Sequence, residues 1–292
     1  MTSRIRAWLL AAVAAAGLPA GQALAVEEPK TLAPSDNWAL TSDTESCTIA
    51  RQFGAPGEGV SFRVRAFAPQ GRYRVVLYGP SLPQRDSGLL EFEYSFEPGS
   101  DAIPATGVLS KSGGVPMVSF LATLDESRPA AAIDAFVIAF SRGRPLTLPL
   151  GSMAEPLAQL DACAQDLPRK WGLDPAVQQS LQRPATPIGP EGWLAPGSYP
   201  WVFLRNSLSM IVNLRMVVDA RGIPTECVVQ APKTQSGAEV LTCREMMKTA
   251  RFDPAIDGSG NAVPSYFATT IFYATPRRNG PSSRGGTIAE RP

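Results

Sequence analysis

Histidine is absent from the chain. That removes Ser-His-Asp and Cys-His catalysis, histidine-ligated zinc and histidine pH switching. Other chemistries lack their parts too. The sequence holds no Cys-x-x-Cys pair, no Gly-Lys dipeptide for a phosphate-binding loop, no Ser-x-x-Lys, no Gly-x-Ser-x-Gly and no calcium-loop pattern. Neither sign of charge is in excess: 27 basic residues face 26 acidic ones, a net of +1. No global field therefore draws the protein to nucleic acid or to anionic lipid. No apolar run reaches the ~20 residues that a spanning helix needs.

The run from Ala7 to Leu18 follows Arg4 and Arg6 and precedes the small-residue ending Ala23-Leu24-Ala25. This pattern reads as a secretory signal peptide, residues 1–25, cut before Val26. Export, a nearly neutral mature chain and no integral membrane span are the expectations. The alternative is an uncleaved N-terminus that anchors the chain in a membrane.

What is present is a globular composition. Hydrophobic residues make up 44% of 292 positions, punctuated by 25 glycines and 28 prolines, which excludes a mainly disordered or collagen-like polymer. The length allows two compact units. An even count of four cysteines in an exported chain points to disulfides, with three possible connectivities, over a metal site. The spacing favours Cys227 with Cys243, which leaves Cys47 with Cys163.

Two patterns divide the chain. Val60, Phe62 and Val64 alternate with polar neighbours, and residues 72–78 form the hairpin partner. Leu90, Phe92, Tyr94 and Phe96 alternate with Glu91, Glu93 and Ser95; residues 117–124 and 133–141 read as further buried strands. A capping-box sequence at 152–155 then opens a helix through Leu157, Leu160, Ala164 and Leu167. Residues 26–182 are thus expected to be a β-rich unit closed by a helix. Residues 183–198 are a proline-rich connector, with Trp193 packing it onto a neighbour.

Beyond the connector, Val212, Leu214, Met216 and Val218 alternate along a strand, residues 219–222 turn, and 223–230 run back. A second capping box at 236–239 opens a helix with Val240, Cys243, Met247 and Ala250 on one face. A strand over 265–274 follows, giving β-β-α-β and an α+β fold class. The basic tail, 276–292, reads as disordered.

Residues 199–275 resemble the C-terminal domain of TonB-family energy transducers. The likeness rests on Tyr199-Pro200, on VNLRMVVDARG at 212–222, on CVVQAP at 227–232, and above all on Arg251-Phe252-Asp253-Pro254-Ala255 followed by Gly260 and Val263-Pro264. The resemblance implies a partner-binding domain whose exposed last strand accepts an extended segment of an outer-membrane transporter by β-strand addition. Ser265, Tyr266, Phe267, Thr269, Ile271 and Tyr273 would then form the binding edge, with one aromatic face on the helix and one open. The motif residues Arg251, Phe252, Pro254 and Ala255 come with it, Arg251 sitting at the helix end near the last carbonyls.

The chain departs from the family in having no histidine, no long spacer and a cleavable leader. A connector this short spans at most ~60 Å. A periplasmic binding protein is therefore expected, with a membrane-anchored transducer as the alternative. Neither cofactor nor metal is called for, and no enzyme is expected. A hydrolase working through carboxylates alone would need a pair such as Glu91 and Glu93, whose alternation already explains them. Asp253 and Asp257 read as turn and helix-end residues.

Overall fold

The computed structural model describes residues 28–69, 73–122, 129–194, 209–230, 238–273 and 288–290. The expected signal peptide, the second capping box up to Gly237 and most of the tail lie outside them. Ten strands come first: β1 Lys30–Thr31, β2 Ala39–Ser42, β3 Cys47–Phe53, β4 Val60–Ala66, β5 Tyr73–Tyr78, β6 Gly88–Glu97, β7 Ile103–Ser112, β8 Val115–Ala122, β9 Ala135–Phe140 and β10 Leu146–Pro149. They form one sheet in the order β1-β10-β9-β6-β7-β8-β5-β4-β3-β2.

The N-terminal segment draws the two ends of this sheet together. β1 pairs with β10, and a few residues later Pro34 bridges Phe53 at the end of β3 while Gly54 N–H donates to the Ala33 carbonyl. The inward residues are those the alternation named: Phe62, Phe92, Tyr94 and Phe96, joined by Phe120 and Phe136. Phe92 meets Phe120 edge-on with ring centroids 4.9 Å apart, Phe62 meets Phe136 tilted at 5.0 Å, and Phe136 stacks on Tyr94 and Phe120. Gly107 on β7 has to be glycine because a Cβ there would lie 2.9 Å from both the Phe92 ring and the Ser119 carbonyl.

Helix α1, Ala154–Lys170, packs Leu157, Leu160, Ala164 and Leu167 into this core. The expected capping box is corrected: Met153 is the N-cap, with no side-chain cap bond, and Ser152 Oγ only approaches Ala154 N–H at 3.4 Å. Cys163 on α1 is bonded to Cys47 on β3, with Cα atoms 6.1 Å apart. A short helix α2, Pro175–Gln179, follows, capped by the Asp174 carboxylate accepting from Ala176 N–H.

The second core gathers around β11 Thr186–Pro187, β12 Met210–Val218, β13 Pro224–Val229, helix α3 Ala238–Thr249, β14 Phe252–Asp253, β15 Ala255–Ile256, β16 Ala262–Val263, β17 Ser265–Tyr273 and β18 Ile288–Glu290. β12 is central in a sheet of order β13-β12-β17-β18. Cys227 on β13 is bonded to Cys243 on α3, Cα atoms 5.5 Å apart. The α3 face is corrected by one position: Thr242, Cys243, Met246 and Ala250 are buried, and Val240 is 51% exposed.

The α+β expectation is overturned. Among the described residues the fold is mostly β, 46% strand against 18% helix, and dominated by the curled sheet. β3, β7 and β10 carry weaker signals: Arg51 interrupts the alternation of Cys47, Ile49 and Phe53 in β3, Pro104 and Gly107 break the pattern of β7, and β10 is only four residues long. The β-β-α-β order is also incomplete. The connector supplies β11, which pairs with β14, and the tail expected to be disordered supplies β18, which pairs with β17.

The turn over 219–222 carries the closest backbone approach. Gly222 has φ +79°, and a Cβ there would lie 1.9 Å from the Phe252 carbonyl oxygen. Phe252 N–H donates to the Gly222 carbonyl, so the hairpin turn and the Phe252 motif lock together. Gly222→Ala is expected to cost on the order of 1–3 kcal/mol through its left-handed φ alone, with displacement of that carbonyl added. A urea unfolding curve checks this, and an unchanged midpoint would count against the contact.

Candidate functional site

β17 is built by strict alternation, and its nine residues pair antiparallel with all nine of β12. One face, with Phe267, Ile271 and Tyr273, continues Val212, Leu214, Met216 and Val218 and shares a core with Met246 of α3 and with Ala250 just past its end. Trp193 and Phe252 complete that layer, with ring centroids 5.2 Å apart for Phe252 and Phe267 and 5.7 Å for Trp193 and Phe267. Ile188 N–H donates to the Arg251 carbonyl and Thr249 Oγ1 donates to the Trp193 carbonyl, which lays the connector on this unit.

The opposite face was expected to be open to a ligand. The first unit covers it. Tyr266 and Ala268 pack against the first core, and the Tyr266 ring lies 5.0 Å from that of Trp171, just beyond α1. Burial pushes the Tyr266 phenol up to about 12. The unfolded phenol, near 10, ionises first, so its contribution to stability is intact below pH ~10 and is lost as pH rises toward 12. Denaturation midpoints are expected to fall across that window, by up to ~1.4 kcal/mol per pH unit from this group, and the decline should flatten in Tyr266→Phe.

Polar residues of β12 that read as solvent-facing are buried in the same seam. Arg215 is 2% exposed; its Nε and Nη2 donate to the two carboxylate oxygens of Glu45 at 3.1 and 3.0 Å, and Nη1 donates to Glu226 at 2.9 Å. The guanidinium lies 4.8 Å from the Trp171 ring centroid. Burial pulls its pKa down, and the hydrogen bonds and charge of Glu45 and Glu226 more than offset this. Beside it, Gln230 Nε2 donates to the Phe67 and Glu45 carbonyls, and Arg74 Nη2 donates to the Ile211 carbonyl. Burial lowers Arg74 to about 9, which leaves it a cation at neutral pH. Sequence reasoning missed this seam, because a polar position in an alternating strand carries no mark of being covered.

The outer rim of β17 has two halves. Thr270, Ile271 and Phe272 pair with Glu290, Ala289 and Ile288 of β18, so the expected bare edge is corrected over that stretch. Residues 265–268 have no strand partner on that side among the described residues and border a cleft of about 510 Å³. Successive side chains of a strand point to opposite faces. A cleft that touches four successive residues, Ser265, Tyr266, Phe267 and Ala268, therefore runs along the backbone rim. Its far side is α1 and α2, with Gln165, Pro168, Pro175, Gln178 and Gln179. Gln178 fixes that wall to the strand: its Nε2 donates to the Pro264 carbonyl at 3.1 Å and its Oε1 accepts from Ser265 Oγ at 2.7 Å.

The remaining expected site residues fall as follows. Ser265, Ile271 and Tyr273 are 1–2% exposed and Phe267 is buried, so their side chains face the interior; Thr269 is half-buried. Arg251 Nη1 donates to the Ala250 and Lys248 carbonyls, just past the end of α3. Pro254 and Ala255 carry the chain into β15. Asp253 pairs with Thr186 across β14 and β11, and the Asp257 carboxylate accepts from the N–H groups of Ser259 and Asn261. Those bonds, chiefly the one from Asn261, hold the Asp257 carboxyl below its ordinary value.

Glu91 and Glu93 line a shallow trough with Pro104, Thr106 and Phe140, away from the cleft. Among the described residues no three Cys, Asp or Glu side chains form a metal-binding group, and no helix is long and apolar enough to cross a membrane. No protein-family model, no curated protein and no solved structure matches this chain.

Proposed function

We propose that this is an exported, periplasmic binding protein that takes an extended segment of a partner polypeptide onto the outer rim of β17 by strand addition. The observation that carries the reading is the rim: residues 265–268 border an open cleft, while Thr270, Ile271 and Phe272 already pair with an added strand. Backbone N–H and C=O groups on such an edge are satisfied by an incoming strand, and its alternate side chains select the partner. The two disulfides fit an oxidising compartment, as does the signal-like N-terminus. The likeness of residues 250–273 to the TonB-family segment points to a segment of an outer-membrane transporter as the partner.

Amide hydrogen exchange tests the reading. An eight-residue peptide alternating valine and serine is expected to slow exchange of the outward amides within 265–269. In a chain ending at Gly280, which lacks β18, the protection is expected to extend through Phe272. Binding that leaves these amides unprotected would refute strand addition here.

A further inference from the structure

The cleft beside the free half of the rim is made by both units, and its lining decides what can lie in it. Along an incoming strand, side chains alternate between two walls. One wall belongs to the first unit: Pro168, Pro175 and Gln165, beside Tyr266. The other belongs to the second: Leu181 and Ala185, beside Phe267, in the same core as Trp193. Among the described residues, none that lines the cleft is Asp, Glu, Lys or Arg. The polar side chains that line it are the amides of Gln165, Gln178 and Gln179, which bond neutral donors and acceptors but offer no counter-charge; the buried Ser265 hydroxyl is already held by Gln178.

A charged side chain entering between these walls would lose water and gain no ion pair. The first wall has little freedom to move aside. Gln178 binds the strand's own start, Trp171 lies against Tyr266, and Cys47–Cys163 ties α1 to β3. A rise of ~3.4 Å per residue gives the four rim residues roughly 14 Å of strand.

We infer that this composite cleft selects an uncharged stretch of about four residues within an extended partner segment, the first unit serving as one wall of the binding site. The inference rests on the strand-addition reading and adds the partner's chemistry to it.

The test uses the full chain and three peptides: the valine–serine octapeptide, the same peptide with glutamate at its two central positions, and the same with lysine there. Two adjacent charges place one against each wall. Fluorescence anisotropy is expected to show both charged peptides binding about tenfold more weakly than the neutral one. Gln165 is exposed and makes none of the bonds that hold the wall, so Gln165→Lys leaves the fold intact. That variant is expected to recover most of the glutamate peptide's loss and to weaken the lysine peptide further.

Equal binding of all three peptides, with rim amides still protected, would overturn the charge selection and leave strand addition standing. A charge preference that Gln165→Lys does not move would overturn the assignment to this wall. Absence of rim protection with every peptide would refute strand addition itself, and this inference with it.

Discussion

Replacing Cys47 and Cys163 together by alanine is expected to lower the stability of the folded protein by about 5 kcal/mol, the largest effect of any change considered. The bond joins residues 116 positions apart, so it removes a long loop's worth of freedom from the unfolded chain. At a loss of roughly 2–4 °C per kcal/mol for a chain approaching this size, the melting temperature should fall by about 10–20 °C. The Cys227–Cys243 bond closes a separation of only 16, for which the same model gives about 3 kcal/mol. The order of the two effects is therefore the sharper check. Calorimetry on the two double-alanine variants measures it, and a larger loss from Cys227 and Cys243 would contradict the loop-closure account. Loss of the first bond should also loosen α1, one wall of the cleft, and weaken peptide binding in proportion.

Arg215→Met is expected to cost about 3–5 kcal/mol. The guanidinium is almost wholly buried between Glu45 of the first unit and β12 of the second, and its removal leaves a mostly buried carboxylate without its partner. Glu226, half exposed, contributes little. The cost belongs to the orphaned charge more than to the attraction lost. Arg215→Met combined with Glu45→Met should accordingly recover a large part of the single-variant loss. Equilibrium urea unfolding of the four members of this cycle decides it; additive losses would mean that the pair is not coupled. Trp171 fluorescence offers a second readout, because the cation now over its ring is removed.

The legible parts of the fold are those in which neighbouring residues carry the information. Phe92, Tyr94 and Phe96 against Glu91 and Glu93 identify β6 and its buried face, and they do point into the core. Asp219 and Gly222 identify a turn, which the carboxylate of Asp219 holds by accepting from Arg221 N–H and Ile223 N–H. The disulfide partners followed from spacing and unit membership. β7 was not legible, since Gly107 makes room for the Phe92 ring at a place where the pattern shows only a break. At the site, the position of β17 could be read, but its surroundings could not. Its second face and half of its rim are covered by segments distant in sequence, Trp171 and β18.

By itself the sequence determined that histidine chemistry is missing and which residues of β4, β6, β12 and β17 seek burial, and its spacing favoured the cysteine pairing that the structure fixes. Only the tertiary structure decided what buries them: the sheet order that places β5 beside β8, the seam around Arg215, the strand drawn from the tail, and the cleft left along residues 265–268. The physical reason is range. Alternation and turn chemistry act over a few residues and record only a preference for being covered. Which surface meets that preference is settled by competition among all the strands and faces of the chain, and that competition is expressed only when the chain closes on itself.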